Sequence, residues 1–156
     1  MKIKVLTIGK LKEKYLCQGI EFYKKRINFY IPFEIIEVPD IKNYKNLEIN
    51  EIKNKEAEKI LNYINDSDYI ISLDEKGREF TSFDFSQYLQ LLINRGIKEI
   101  SFVVGGSYGL SDKILKVSNE KISLSKMTFP HDLVRLIFVE QLYRALTIIK
   151  NEKYHH

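Results

Sequence analysis

Short apolar runs rich in β-branched residues alternate with helix-like segments along the whole chain. The helix-like segments repeat apolar residues every three or four positions. Strands separated by helices are typical of a mostly parallel sheet, because a crossover between parallel strands is long enough to hold a helix. We therefore predict a single α/β domain over residues 1–156, without repeats or linkers. The predicted strands cover residues 3–8, 33–38, 69–73, 99–104 and 121–124, and the predicted helices cover 16–30, 49–64, 82–96, 112–118 and 131–150.

Length and composition limit the class of protein. A chain of 156 residues with 44% hydrophobic residues is ordinary for one globular domain. No apolar run approaches the ~20 residues that span a bilayer, and the N-terminus lacks a signal-peptide pattern, so we expect a cytoplasmic protein without membrane contact. Cys17 is the only cysteine, and the histidines at positions 131, 155 and 156 form no cluster with carboxylates. We therefore predict no disulfide and no metal.

The net charge of +4 permits a polyanionic partner without requiring one. Two interpretations stay open for the basic residues of the N-terminal third. They form either a solvated helix face or a patch that binds nucleic acid. These residues are Lys10, Lys12, Lys14, Lys24, Lys25 and Arg26.

Three loops follow predicted strands and are candidates for a ligand pocket: a polar turn at residues 74–79, and the loops at residues 105–111 and 125–130. Ligands of parallel sheets bind beyond the carboxyl ends of the strands. The glycines at 105, 106 and 109 match neither the dinucleotide fingerprint nor a phosphate loop, and they indicate either a tight turn or a ligand loop. In the third loop, Met127 and Phe129 are candidates to wall an apolar slot beside the hydroxyls of Ser125 and Thr128.

The last predicted helix has almost no polar face. A helix that is apolar nearly all round must be buried on most sides, and one domain of this size can hardly hide it. We therefore predict a two-fold homodimer built on this helix. Glu140 with Arg144, and Asp132 with Arg135, are spaced to form ion pairs.

Several segments together resemble the ribosomal large-subunit pseudouridine N3-methyltransferase family, which belongs to the SPOUT methyltransferases. The resemblance runs from end to end without an evident gap. The most specific blocks are Gly105-Gly106-Ser107-Tyr108-Gly109-Leu110, Ser125-Lys126-Met127-Thr128-Phe129-Pro130-His131, and Glu140-Gln141-Leu142-Tyr143-Arg144-Ala145 followed by Tyr154-His155. Weaker matches are Ile8-Gly9-Lys10, Tyr15, Ile36-Glu37-Val38-Pro39-Asp40, Lys55-Glu56, Leu73 and Arg135.

The resemblance implies a parallel sheet whose C-terminal part forms a deep trefoil knot, an exception to the rule that chains avoid knots. It also implies a homodimer with an S-adenosylmethionine pocket in the knot loops near the subunit interface. The implied substrate is a pseudouridine of 23S (large-subunit) rRNA in the assembled ribosome. The implied cofactor-binding residues are Leu73, Gly105, Gly106, Leu124, Ser125, Lys126, Met127, Thr128 and Phe129.

The chemistry of the implied reaction suggests catalytic residues. The methyl acceptor is an imide nitrogen that carries a proton, so it needs a base or a stabilised anion. The candidates are Arg135, Tyr154 and His155, with Tyr154 stacking on the base and His155 accepting the proton or binding phosphate. The chain departs from the family at His156, where the family often has Arg or Lys.

Two alternatives remain beside a methyltransferase. One is a non-catalytic ribosome- or RNA-binding module of the same fold, which would not be stabilised by S-adenosylmethionine. The other is a different small α/β enzyme that binds a nucleotide or a flavin. The absence of both phosphate-binding motifs argues against the second alternative.

Overall fold

The computed structural model describes residues 1–156 and shows five parallel strands between two layers of helices. The strand order is β2-β1-β4-β3-β5, and every neighbouring pair is parallel. The predicted α/β fold with a parallel sheet is therefore confirmed. The strands are β1 Lys2–Ile8, β2 Phe33–Val38, β3 Tyr69–Glu79, β4 Glu99–Val104 and β5 Glu120–Ser123, and the helices are α1 Lys14–Ile27, α2 Ile49–Leu61, α3 Ser82–Asn94, α4 Asp112–Val117 and α5 His131–Ile149, with a short 3-10 turn at Tyr44–Asn46.

Each face of the sheet carries its own hydrophobic core. Helices α1, α3 and α5 pack on one face around Phe102 and Phe138, whose ring centroids lie 4.6 Å apart. Helices α2 and α4 pack on the other face, where Ile60 and Ile114 are buried. Because β4 lies inside the sheet with both faces covered, residues 100–104 are all buried, including Ser101, the one polar residue among them.

Two helices end earlier than their apolar periodicity predicts. Helix α1 ends at Ile27, because the amide side chain of Asn28 turns the chain into β2 by bonding both the N–H and the carbonyl of Phe33, at 2.9 and 3.1 Å. Helix α2 ends at Leu61. The periodicity continues to Tyr30 and Ile64 because both side chains still pack against the cores.

The prediction of a polar turn at residues 74–79 is wrong, because β3 continues to Glu79. The pairing of β3 with β5 is interrupted between Leu73 and Arg78 and then resumes. Gly77 passes so close to β5 that a Cβ added there would lie 2.6 Å from the backbone nitrogen of Ile122. The polar residues before Gly77 therefore form an irregularity within a strand.

Strand β5 pairs with β3 and not with β4, the strand that precedes it in the chain. The connection from β4 to β5 therefore passes over β3. Strand order does not define a knot, and the trefoil knot stays a prediction. Helix α5 lies between α1 and α3, and each of its residues from His131 to Ile149 is buried or half-buried. No helix combines the length and the apolar character needed to cross a membrane.

Candidate functional site

A cleft of about 510 Å³ lies at the carboxyl ends of β3, β4 and β5. This is the edge where ligands of parallel sheets bind, and the three loops singled out in the sequence all contribute to it. The lining residues fall mainly in the ranges 73–76, 104–110, 122–125 and 127–129.

The glycine loop after β4 is a closed turn that also forms a wall of the cleft. The N–H of Gly109 donates to the carbonyl of Gly106 at 3.1 Å, and Gly109 has a φ of +81°. A Cβ added at Gly105 would lie 2.6 Å from the carbonyl carbon of Gly109. The two interpretations from sequence, turn and ligand loop, are therefore compatible: the turn needs glycine, and its bare backbone faces the cleft.

Serine hydroxyls shape the loop after β5. The hydroxyl of Ser123 donates to the carbonyl of Ser125 at 3.0 Å, and the hydroxyl of Ser125 accepts the N–H of Met127 at 2.9 Å. The side chain of Met127 is 75% exposed, so an apolar group stands in water at the cleft. Lys126 does not line the cleft, and its Nζ lies 3.9 Å from Glu79. The other eight predicted cofactor residues do line it.

Some lining residues come from helices outside the three loops. Lys53 comes from α2, Asp112 from the start of α4, and His131 from the start of α5. The imidazole Nε2 of His131 lies 3.3 Å from Asp132 Oδ1. Nothing in the sequence separates Lys53 from the other lysines of α2, because only packing brings it to the cleft. No group of three or more His, Cys, Asp or Glu side chains is arranged to hold a metal ion.

Arg135 does not line the cleft but lies in the interior, with 2% of its surface exposed. Its guanidinium donates to the carbonyl of Gly9 at 2.9 Å and to that of Ile8, and it pairs with Asp132 at 3.3 Å as the spacing predicts. Burial lowers the pKa of Arg135, and the charge of Asp132 opposes that shift. The contacts attach the start of α5 to the end of β1, and a catalytic role for Arg135 stays a prediction.

Tyr154 and His155 lie in a cluster of polar aromatic groups after α5. The hydroxyl of Tyr154 donates to Glu140 Oε1 at 3.1 Å and lies 3.3 Å from the hydroxyl of Tyr23. Arg144 forms the predicted ion pair with Glu140, and its Nη1 lies 3.4 Å from His155 Nδ1. Burial and then the bond with Tyr23 raise the pKa of Tyr154, so its hydroxyl keeps its proton at neutral pH.

The cleft and the tail meet α5 at different levels. His131 opens this helix at the cleft, whereas Tyr154 folds back onto Glu140 and His155 lies beside Arg144. Glu140 is roughly 14 Å along the helix from His131. Within one chain, the fold therefore brings the predicted cofactor residues together and separates them from Tyr154 and His155.

The fold and the cleft define a methyltransferase of the SPOUT class. The family model described as "Predicted SPOUT methyltransferase" matches residues 1–155. A probable methylase family protein of Haemophilus influenzae shares the fold with a TM-score of 0.54 at 12% identity, over 99% of this chain and 70% of that one. A tRNA modifying enzyme of A. aeolicus, described as TrmH/SpoU, has a TM-score of 0.50 at 14% identity, over 96% of this chain and 77% of that one.

Curated relatives narrow the class. A protein of Parabacteroides distasonis named ribosomal RNA large subunit methyltransferase H is 53% identical over 156 residues, covering 100% of this chain and 99% of the relative. A protein of Enterococcus faecalis with the same name is 49% identical, covering 99% of both chains. The chain belongs to the ribosomal RNA large subunit methyltransferase H family, which confirms the resemblance seen in its sequence.

Proposed function

We propose that this protein transfers a methyl group from S-adenosylmethionine to N3 of a pseudouridine in large-subunit rRNA, within the assembled ribosome of the cytoplasm. The observation that carries the proposal is the cleft between the irregular part of β3 and the loops after β4 and β5, with the glycine turn at Gly105 as one wall. The names of the full-length relatives support rRNA as the substrate.

The residues of the cleft fit S-adenosylmethionine. Apolar side chains such as Leu124 and Phe129 offer an adenine ring contact area, and the carboxylates of Asp74 and Asp112 suit hydroxyl donors and a cation. When bound, S-adenosylmethionine supplies a sulfonium that makes its methyl group electrophilic. The proposed contacts are the eight lining residues Leu73, Gly105, Gly106, Leu124, Ser125, Met127, Thr128 and Phe129.

A second copy of the chain completes the proposed site. Neither Tyr154 nor His155 lines the cleft of its own chain, because they lie against Glu140 and Arg144 of α5. Helix α5 keeps half-buried apolar side chains, including Leu133 and Ile137, along the positions that neither core covers. Burial of these residues in a homodimer removes apolar surface from water. We therefore propose that the tail of one subunit serves the cleft of the other.

In this arrangement the chain's own groups handle the acceptor. Tyr154 keeps its proton and offers a flat ring for stacking, while the imidazole of His155 offers a ring nitrogen as proton acceptor. The main contribution of the cleft is alignment of donor and acceptor. Arg135, buried and bonded to backbone carbonyls, fits a positioning role at the junction of β1 and α5.

Transfer of a labelled methyl group tests the proposal. We expect label in intact ribosomes and not in naked rRNA, and mapping of the labelled nucleoside should give a pseudouridine methylated at N3. S-adenosylmethionine should also raise the melting temperature of the protein. A protein that binds ribosomes but gains no heat stability from S-adenosylmethionine would instead be a non-catalytic binding module.

A further inference from the structure

A basic surface with one exposed aromatic ring lies beside the C-terminal tail. The last turn of α1 carries Lys24, Lys25 and Arg26, and Phe29 follows in the next turn. The side chain of Phe29 is 87% exposed, more than any other large hydrophobic residue of the chain. We call these four residues together with Lys150 and Lys153 of the tail the tail-proximal surface.

Contacts between aromatic residues fix the two halves of this surface to each other. The hydroxyl of Tyr30 donates to Glu152 Oε2 at 2.5 Å, and the hydroxyls of Tyr23 and Tyr154 lie 3.3 Å apart. The ring of Tyr143 contacts both Tyr23 and Tyr154, with distances between ring centroids of 5.7 Å and 4.7 Å. Phe29 and the adjacent lysines are therefore held at a set position relative to Tyr154.

Basic side chains outnumber acidic ones on this surface. Residues 22–30 and 150–156 contain five basic and one acidic side chains, a net charge of +4. A polyanion that reaches the tail therefore meets an excess of positive charge there.

We infer that the tail-proximal surface binds the RNA strand that flanks the target nucleotide. This inference rests on the proposed function. Lys24, Lys25 and Lys153 neutralise phosphates, and Phe29 stacks on an unpaired base. Exposed aromatic rings among basic residues suit single-stranded RNA because every base has a face for stacking.

The charge favours RNA over a second copy of the chain as the occupant. A two-fold contact centred on this surface would bring the same lysines of two copies together, and like charges at close range oppose association. Interface cores between proteins are also poor in charged residues. A polyanion gains from the same lysines, because they release its counterions.

Binding to intact, unmodified ribosomes tests the inference. The test variants are Phe29→Ala and the double variant Lys24→Gln/Lys25→Gln. The matched controls are Tyr63→Ala, which also removes an exposed aromatic ring, and Lys55→Gln/Lys116→Gln, which removes two exposed lysines from α2 and α4 on the other face of the sheet.

We expect Phe29→Ala to raise the dissociation constant for ribosomes roughly 5-fold to 100-fold. The lysine double variant should make the negative slope of log affinity against log salt shallower by about 1.5, because two phosphate contacts are lost. Both variants should bind S-adenosylmethionine like the wild type, since none of the three residues lies at the cleft. The control variants should bind ribosomes like the wild type.

If both test variants bind ribosomes as tightly as the wild type, and the wild type methylates ribosomes, this inference is wrong and the proposed function stands. A wild-type protein that methylates no ribosome would overturn both. Sedimentation decides between RNA and a second copy: if Phe29→Ala turns dimers into monomers, the surface is a contact between copies and the inference is wrong. A Phe29→Ala protein with the wild-type assembly state and weakened ribosome binding supports it.

Discussion

Glu56 is an acidic side chain of α2 that is buried behind the glycine loop. Its Oε1 would lie 2.7 Å from a Cβ added at Gly106. Burial, and then the charge of Asp40, raise the pKa of Glu56 to about 7, while Lys59 opposes the shift. The folded protein therefore holds a proton on Glu56 that the unfolded chain releases at lower pH.

The raised pKa makes the folded state less stable as the pH rises. The unfolded carboxyl ionises near its ordinary pKa of 4.5 and the folded one only near 7, so the free energy of unfolding falls between these two pH values. Glu56→Gln removes this penalty, so the variant should gain stability over the wild type above pH 7, by about 2 kcal/mol, and gain little near pH 4.5. Urea unfolding at pH 5 and pH 8 and at one protein concentration measures the difference.

Glu58→Gln on the same helix is the matched control, because Glu58 is exposed and pairs with Lys113 at the surface. A stability difference between Glu56→Gln and the wild type that stays constant between the two pH values would contradict the assignment.

At the scale of elements, hydroxyl caps mark the starts of α3 and α4. Thr81 and Ser111 come directly before these helices, and their hydroxyls accept the N–H groups of Asp84 and Lys113 at 3.1 Å. Apolar periodicity predicts the strands because each strand buries apolar side chains of its own. The nine predicted cofactor residues follow from the family resemblance and from the rule that sites lie at strand ends, and eight of the nine line the cleft.

The elements that sequence reasoning missed depend on distant partners. The irregular part of β3 was predicted as a turn because its residues are polar, and its strand character comes from pairing with β5 more than 40 residues later. The burial of Arg135 depends in the same way on carbonyls at the end of β1, over 120 residues earlier. Neither partner is visible in a local window of sequence.

Gly77 permits the close approach of β3 to β5, so we expect Gly77→Ala to destabilise the protein by about 2 kcal/mol. The added methyl group meets the backbone of Ile122, which cannot rotate away. The variant should also bind S-adenosylmethionine more weakly, because residues 74–76 beside it line the cleft. Denaturant unfolding and calorimetric titration measure the two effects.

Gly19→Ala is the control for Gly77→Ala. It adds the same methyl group inside α1, where the nearest atoms belong to the flexible side chain of Leu136. Because alanine also favours the helix, we expect little loss of stability. Equal stability of the two variants would show that β3 adapts to the extra methyl group.

At the scale of the whole molecule, the cleft and the tail are separate parts of the protomer. The carboxyl edge of the sheet carries the cleft, and the tail beside the end of α1 carries Tyr154 and the tail-proximal surface. Tyr154 lies against Glu140, roughly 14 Å along α5 from His131 at the cleft. The proposal that the tail of one subunit serves the cleft of the other therefore predicts that activity requires a dimer.

Mixing two inactive subunits tests this directly. Gly105→Val closes the cleft by steric clash with Gly109 and leaves the tail intact, while Tyr154→Ala/His155→Ala leaves the cleft intact. If the tail acts on the other subunit, a mixed dimer has one complete site. Random pairing makes half of the dimers mixed, so refolding equal amounts together should restore roughly a quarter of the wild-type methylation rate.

A subunit that carries all three substitutions is the control for the mixing experiment, because it contributes neither a cleft nor a tail. Mixed with either inactive subunit, it should restore no activity. Sedimentation before the assay verifies that dimers have formed. If each tail served its own cleft, the mixture of single-defect subunits would stay as inactive as the control, because no chain in it has both parts intact. Recovery of activity therefore requires that the tail of one subunit acts at the cleft of the other, because refolding alone gives no chain both parts.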